Sequence, residues 1–501
     1  MKRILYATIL LSATSFGLYA QKTTSTSKET IPAPKTEPTI APKSTGDGYV
    51  VTLQTPSYQS GIIYLCYHMG KNLNIADSTV VTPEGKALFK GNTPLPPGIY
   101  AIVFPGKRLT FDFFIDKEQK IDLFADSTQL QNAVVKGSSE NPLFQQYQQK
   151  VAILGGQLQQ ERNAYSMSTT KSDSTLHQQN FERLNKQLVA YRDSIIKNSP
   201  KSMMAACLNA MREPEIPIKT PKTRQDSLDN YNYYKAHYWD GVTFMDERII
   251  RTPFFLPKLE RYYREVVVQA SDSIIKDIDY RLLYARNAPE MYKYMLNWLT
   301  DEYINPKIMG QDAVFVHLFE KYHSKGETPW LNEKQHETIS RRAYMQMSNL
   351  IGVKASNLEM VDSTGKMKAL YDQPGEYTLV VFWDPTCGHC KEEIPRIDSI
   401  YKASWKSHGV KIYSVLSDNE KKKEWVNYLK EHKLGEWANV YETKEMEKAV
   451  ADAQRPSFRQ LYDVTQTPTI LLLDKEKRII GKKLGIMQLN DFLKTKWEKK
   501  G

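Results

Sequence analysis

In the stretch Tyr377-Thr-Leu-Val-Val-Phe-Trp-Asp-Pro-Thr-Cys-Gly-His-Cys-Lys-Glu-Glu-Ile-Pro395, two cysteines follow a strongly apolar run and precede a run that can form a helix. This order of strand, cysteine pair and helix puts Cys387 at a helix N-terminus, where unpaired N–H groups and the helix dipole stabilise a thiolate. A thiolate with a second thiol one turn away attacks a disulfide and then resolves the mixed intermediate. The pattern therefore predicts thiol–disulfide exchange, with Cys387 attacking and Cys390 resolving.

Two structural roles are the alternatives for this cysteine pair. Half of a zinc site needs two further ligands, whereas Cys66 and Cys207 are isolated and the histidines lack the spacing of a ligand pair. A purely structural disulfide is the other alternative, but a two-residue loop at a helix start is a tight place for one. Redox chemistry is the preferred interpretation, and the sequence predicts neither a metal nor another cofactor.

A proline at the start of a second apolar run supports this interpretation. Thr465-Gln-Thr-Pro-Thr-Ile-Leu-Leu-Leu-Asp474 reads as a strand before a hairpin turn, and a proline there cannot donate to the ladder. With these two segments, residues 351–501 resemble a thioredoxin-fold domain of the branch that includes exported TlpA-like and ResA-like thiol–disulfide oxidoreductases. The resemblance implies a cis bond between Thr467 and Pro468 that lies against the cysteine pair.

The resemblance also implies a surface that binds the partner protein. The backbone of Thr467, beside Pro468, is expected to hold an extended partner peptide next to the attacking cysteine. Trp383 and Gly388, on either side of that cysteine, are assigned to the same partner-binding surface. Pro395 falls where the active-site helix of thioredoxin is kinked by proline.

Two side chains are candidates for tuning the redox-active disulfide Cys387–Cys390 that the resemblance implies. Glu393 falls where ResA-like proteins carry an active-site glutamate, and it shares the helix face of Cys390. A carboxylate there raises the thiol pKa and relays its proton, although a solvated glutamate is the alternative. His389 is the residue that protein disulfide isomerases use, and it favours a Cys387 thiolate and therefore a higher reduction potential than that of thioredoxin.

The N-terminal residues predict export. Residues 1–20 combine a short basic start with an apolar run and end at a plausible cleavage site between Ala20 and Gln21. The apolar run is too short for a good membrane span. Residues 21–45 are rich in Thr, Ser, Pro and Lys, which predicts a disordered tether. We therefore expect a periplasmic protein without a membrane span after cleavage.

The predicted partners are protein thiols and disulfides, together with a redox partner in the cell envelope. The formal net charge of +11 falls to +9 without Lys2 and Arg3, which leaves a basic protein. The longest basic run is residues 421–423, and no aromatic residues interleave with it. Nucleic-acid binding therefore has little support.

Two further domains precede the redox domain. Residues 46–138 contain eight short apolar runs separated by turn residues, one of them Ser78–Thr82, which predicts an antiparallel β-sandwich. Residues 139–350 read as helices rich in Tyr, Gln and charges, and predict an α-helical middle domain. The expected helices lie around Pro142–Gly155, Ser174–Lys197, Lys201–Met211, Arg224–His237, Pro257–Val268, Ala288–Glu302, Gln311–His323 and Glu333–Asn349. Both segments resemble domains of unknown function that precede exported thioredoxin-like domains. The predicted fold class is multi-domain: β-sandwich, α-helical domain, and α/β thioredoxin fold over residues 351–501.

Three functions are compatible with this organisation. The preferred one is an exported thiol–disulfide oxidoreductase. A thiol peroxidase is the second, but Pro385 and Thr386 stand directly against Cys387, and the spacing typical of peroxiredoxins is absent. The third is a binding or scaffold protein of the envelope with an auxiliary redox domain, because some 300 residues carry no assigned chemistry.

Overall fold

The structure, a computed structural model, describes residues 48–106 and 110–498. The predicted signal peptide, residues 1–20, and the predicted tether, residues 21–45, lie outside the described residues. Over the described ranges, no helix combines the length and the apolar character that crossing a membrane requires.

The chain divides into two compact units. Of the described residues, those up to Val267 together with Leu283–Tyr294 belong to unit 1, and Val268–Leu282 together with those from Met295 onwards belong to unit 2.

Short strands form the first part of unit 1. They are β1 (Val50–Gln54), β2 (Ile62–Met69), β3 (Asn72–Val80), β4 (Lys86–Lys90), β5 (Gly98–Val103), β6 (Thr110–Ile115), β7 (Lys120–Phe124) and β8 (Val134–Lys136). They form two four-stranded sheets, ordered β4-β1-β7-β8 and β3-β2-β5-β6. Apolar side chains of both sheets form one core, because alternate residues of a strand point to the same face.

The predicted β-sandwich is confirmed, with one pairing that is not antiparallel. Strand β1 pairs antiparallel with β4 but parallel with β7. Parallel neighbours need a long connection, and the strands between β1 and β7 in the chain supply it. Strand β3 is longer than the expected strand Ser78–Thr82. It begins at Asn72, directly after a tight turn at Gly70 (φ 59°). Most of β3 is exposed, so its residues lack the apolar alternation that marks a buried strand.

The helical middle region is also confirmed. Its α-helices are α1 (Asn141–Met167), α2 (Lys171–Asn198), α3 (Met203–Met211), α4 (Arg224–His237), α5 (Phe255–Arg261), α6 (Ser271–Ala285), α7 (Pro289–Tyr303), α8 (Asp312–Lys321) and α9 (Glu333–Met347). Helix α1 is joined to β6 by stacking of Phe114 on Phe144 at 4.2 Å, and Asn141 hydrogen-bonds both backbone groups of Phe114 at 2.8 Å. Helix α6 was not among the helices expected from the sequence.

The C-terminal part of unit 2 has the predicted thioredoxin architecture. Its strands are β9 (Glu359–Val361), β10 (Met367–Ala369), β11 (Tyr377–Trp383), β12 (Val410–Leu416), β13 (Ala438–Val440), β14 (Thr469–Leu473) and β15 (Ile479–Lys482). Its α-helices are α10 (Gly388–Ile400), α11 (Lys422–Glu431), α12 (Lys444–Asp452), α13 (Phe458–Leu461) and α14 (Ile486–Glu498). Strands β9 and β10 form a hairpin, and the central sheet has the order β13-β12-β11-β14-β15.

The central strand β11 positions the cysteine motif. It pairs parallel with β12 and antiparallel with β14, and all seven of its residues are buried. Separate apolar clusters cover the two faces of the sheet. A strand buried on both faces reads as a continuous apolar run, as β11 does. The motif therefore leaves the sheet from a strand that is paired on both sides and buried along its whole length.

Candidate active site

The turn between β11 and α10 presents Cys387 at the N-terminus of the helix. Cys387 has an extended backbone conformation and is the residue that caps α10, and its carbonyl accepts a hydrogen bond from the Lys391 N–H at 3.1 Å. Its side chain is partly buried, while Cys390 is fully buried in the core beside β11. Both residues are thiols in the structure. The structure therefore has one accessible and one inaccessible sulfur.

The surroundings of Cys387 favour its thiolate. Partial burial opposes ionisation of the thiol, but hydrogen bonds outweigh it and hold its pKa below the ordinary value. The groups that lower it are the Thr467 side chain, the backbone and thiol of Cys390, and the backbone N–H of His389, although none of the α10 N–H groups forms a capping hydrogen bond with the Cys387 side chain. The backbone N–H groups of His389 and Cys390 belong to the first turn of α10, where N–H groups have no partner within the helix. The predicted effect of a helix N-terminus on the thiol is therefore present.

The surroundings of Cys390 have the opposite effect. Burial, the largest cause, acts together with a hydrogen bond to Cys387 and the charge of Cys387 to raise its pKa to about 12. Hydrogen bonds with the Asp384 backbone and the Thr467 side chain act against this rise but do not cancel it. Cys390 therefore stays protonated at the pH at which Cys387 ionises, which is the asymmetry that an attacking and a resolving thiol require.

Thr467 touches the cysteine pair from the opposite side. The Cys387 thiol donates a hydrogen bond to the Thr467 carbonyl, with 3.4 Å between Sγ and the oxygen. The peptide bond between Thr467 and Pro468 is cis. Both features were expected from the resemblance to thioredoxin-fold proteins, and both are confirmed. Thr467 and Pro468 are partly exposed, so they border the accessible sulfur.

The remaining predicted site residues occupy different environments. Gly388 and His389 are exposed beside Cys387. Trp383 was expected at the partner-binding surface, but its side chain is fully buried and its Nε1 donates to Ser414 Oγ at 2.7 Å. Because a fully buried indole has no surface available to a partner, Trp383 is a core residue that packs behind the site and does not bind the partner.

Glu393 lies on α10 and is partly exposed. Its Oε1 accepts from Arg396 Nη1 at 2.9 Å, an ion pair three residues apart on the same helix. Burial is the main cause of the raised pKa of Cys390, rather than a carboxylate beside it. The role of Glu393 as proton acceptor for Cys390 stays a prediction.

Asp384 is a functional position that the sequence analysis missed. Its carboxylate accepts hydrogen bonds from the Thr386 backbone N–H at 2.6 Å and from the Thr386 hydroxyl at 2.7 Å. Its carbonyl accepts from the Cys387 N–H at 3.2 Å. These bonds close the turn that delivers Cys387 to the helix start. The signal was available, because an aspartate that bonds its own backbone two residues on is a common turn former.

In the part of the chain that the structure describes, no group of three or more His, Cys, Asp or Glu side chains is arranged to hold a metal ion. The site described here consists of the two thiols, the start of α10 and the Thr467 segment.

Three family models match successive parts of the chain. Residues 49–144 match a domain of unknown function (DUF4369), residues 157–349 match another domain of unknown function (DUF5106), and residues 375–479 match a thioredoxin-like family. The last match contains the cysteine motif and the Thr467 segment.

Individual relatives each match part of the chain. The chain is 27% identical over 135 residues to a thiol-disulfide oxidoreductase ResA of Bacillus cereus. The alignment covers 27% of this chain and 70% of that protein. A domain of a "possible thiol-disulfide isomerase" from Cytophaga hutchinsonii ATCC 33406 is 35% identical, with a TM-score of 0.26, and covers 30% of this chain and 95% of that one. A thioredoxin-like protein from Bacteroides caccae ATCC 43185 is 23% identical, with a TM-score of 0.42. That match covers 57% of this chain and 98% of the other. The C-terminal part of this chain is a thioredoxin-like domain.

Proposed function

We propose that this protein is a thiol–disulfide oxidoreductase that exchanges disulfides with protein substrates through Cys387 and Cys390. The observation that carries the proposal is the difference between the two thiols. Cys387 is accessible, with a lowered pKa, whereas Cys390 is fully buried, with a pKa raised to about 12. Because the thiolate is the nucleophile in disulfide exchange, this difference supports a fixed order of attack.

In the reducing direction, the Cys387 thiolate attacks one sulfur of a substrate disulfide. A bond forms between Cys387 and that sulfur, and the other substrate sulfur leaves as a thiolate that takes up a proton. Cys390 then gives up its proton and attacks Cys387, which forms the Cys387–Cys390 disulfide and releases the second substrate thiol. Two electrons pass from the pair to the substrate, and a dithiol of the cell envelope returns the pair to its reduced form. The oxidising direction is the reverse of these steps.

The mixed disulfide itself prepares the second step. The charge of Cys387 is one of the causes that raise the pKa of Cys390. Once Cys387 is bonded to a substrate sulfur, it carries no charge and no longer accepts a hydrogen bond as a thiolate from the Cys390 thiol, so this cause is removed. The pKa of Cys390 then falls and its thiolate becomes available for the resolving attack. We assign the acceptance of its proton to Glu393, the carboxylate one helical turn further along α10.

The exposed surface around Cys387 supports binding of an extended peptide. Gly388 leaves one side of the sulfur open, and nothing of the described chain lies within 4 Å of the position its Cβ would take. Thr467 and Pro468 border the other side, and the Thr467 backbone provides hydrogen-bonding groups for a partner strand. We assign these three residues to partner binding.

We place the protein in the cell envelope, where it meets substrate proteins and a reductant. The support is the signal-like pattern of residues 1–20 with cleavage near Ala20 and Gln21. Such a compartment permits disulfides, so substrates with disulfides are present there.

Reduction of insulin disulfides by dithiothreitol, followed as turbidity, tests the proposed activity. The full chain is expected to accelerate the reaction, and Cys387→Ser is expected to abolish the acceleration. Cys207→Ala is the matched control, since Cys207 is fully buried in unit 1 and is expected to leave the rate unchanged. Equal rates with Cys387→Ser and the unmodified chain would refute the proposal.

A further inference from the structure

An ion pair in unit 2 joins helix α9 to the segment that leads to the active site. Arg342 on α9 pairs with Asp463, and their side chains are only 14% and 7% exposed. Arg342 Nε also donates to the Ile304 carbonyl at 3.2 Å, and Lys483 Nζ lies 3.9 Å from the second Asp463 carboxylate oxygen. Removing one member of such a pair leaves a charge buried without its partner.

Asp463 is the residue at which the chain turns towards the active site. It has a left-handed backbone conformation (φ 53°), and the Val464 N–H bonds back to the Arg459 carbonyl at 2.9 Å. This is a common way to end a helix, here α13. Only three residues separate Asp463 from Thr467, and the first of them, Val464, is buried in the core. The position of Asp463 therefore constrains the position of Thr467.

A second buried contact holds the strands that follow Thr467. Lys482, the last residue of β15, donates to the Asn349 carbonyl at 2.5 Å and to Asn349 Oδ1 at 2.6 Å. It also pairs with Asp312 on α8, and both charged side chains are at least nine-tenths buried. Strand β15 pairs with β14, which begins directly after Pro468. Helices α8 and α9 thus hold the chain on both sides of the Thr467 segment.

We propose that Arg342 and Asp463 are positioning residues for the thiol chemistry, and that their ion pair keeps Thr467 in contact with Cys387. Neither residue touches the cysteines, and their effect passes through the four residues that follow Asp463. The inference rests on the proposed function. It gives α9, which belongs to the segment that matches a domain of unknown function, a role in setting the reactivity of the thioredoxin-like domain.

Alkylation of Cys387 by iodoacetamide tests this role. The rate is measured on the full chain as a function of pH, with the modified peptide quantified by mass spectrometry. In Arg342→Met and Asp463→Asn the Cys387 pKa is expected to rise towards its ordinary value, because the Thr467 side chain, whose hydrogen bond favours the thiolate, moves away from the sulfur. Each unit of that rise lowers the thiolate fraction near neutral pH by about tenfold. Arg342→Lys, which keeps the charge, is expected to restore part of the rate.

The matched control is Arg341→Met, which changes the exposed neighbour on the same helix and is expected to leave the pH profile unchanged. A Cys387 profile that stays unchanged in Arg342→Met and Asp463→Asn, whatever their melting temperatures, would overturn the inference. If Arg342→Met does not fold, the pH profile of Cys387 alkylation in the near-isosteric Asp463→Asn decides whether the inference holds. Alkylation needs no disulfide substrate, so a shifted profile in a protein that fails to reduce insulin supports the inference and refutes only the proposed function.

Discussion

Cys387 Sγ lies 3.4 Å from the carbonyl oxygen of Thr467, a residue 80 positions further along the chain. The contact exists because β11 and β14 are neighbours in the sheet, so that the end of β11 and the start of β14 meet at the same edge. The same neighbour acts on the thiol in two ways. The Thr467 carbonyl accepts from the thiol, and the Thr467 side chain stabilises the thiolate.

The Thr467 hydroxyl is expected to be one source of Cys387 acidity. Thr467→Ala removes the first of the hydrogen bonds that lower the Cys387 pKa, so the pKa should rise and alkylation below that pKa should slow. Thr465→Ala, an exposed position in the same segment, is the control. Identical pH profiles for the two variants would show that the hydroxyl does not contribute.

His389 is expected to raise the reduction potential through its backbone more than through its imidazole. Its N–H helps stabilise the Cys387 thiolate, while its side chain is exposed. A stabilised thiolate favours the reduced pair, so the potential should exceed the value of about −270 mV for thioredoxin and approach about −180 mV. His389→Pro removes the N–H and should lower the potential more than His389→Ala, in a titration against glutathione. A potential at or below about −270 mV that His389→Pro leaves unchanged would contradict this account.

Glu393 is expected to act in the resolving step alone. If it accepts the Cys390 proton, Glu393→Gln should slow the decay of the mixed disulfide by up to about a hundredfold and leave the first attack unchanged. Glu392→Gln, an exposed neighbour on the same helix, is the control. Stopped-flow measurement of both phases separates the steps, and equal decay rates in the two variants would assign Glu393 to the solvated surface.

Acid is expected to destabilise unit 2 through His323. Burial lowers the pKa of this histidine from 6.5 to about 4. The unfolded chain binds a proton below pH 6.5 while the folded one stays neutral, so stability is complete above that value and falls as the pH drops towards 4. The loss is at most about 1.4 kcal/mol per pH unit. Denaturant unfolding of His323→Gln should lack this slope, whereas the exposed control His389→Gln should keep it.

The chemistry of the cysteine pair was predictable because it is local in sequence. Four consecutive residues, a buried strand before them and a helix after them indicate the proposed order of the thiols and the direction of their pKa difference, to which the distant Thr467 also contributes. The contact with Thr467 came from the family resemblance, since nothing in the spacing alone brings together residues 80 positions apart. The pair of Arg342 with Asp463 spans 121 positions and has no motif, so only the folded chain reveals it.

Two helix assignments show where local patterns fail. Helix α1 was expected to end at Gly155, but it continues to Met167. Two glycines cost about 1 kcal/mol each in a helix, and the burial of Leu154 and Leu158 in the core offsets that cost. Helix α6 was not assigned, although Ile274, Ile278 and Leu282 have the spacing of a buried helix face and are fully buried.

The fixed order of the two thiols is the central claim, and trapping of mixed disulfides tests it most directly. Cys387→Ser and Cys390→Ser are each incubated with a disulfide-containing protein, quenched with acid, and separated on a non-reducing gel. Cys390→Ser is expected to accumulate a mixed disulfide through Cys387, because the attack proceeds and the resolution cannot. No adduct is expected with Cys387→Ser, whose remaining motif thiol is fully buried. Adducts with Cys387→Ser and none with Cys390→Ser would contradict the fixed order.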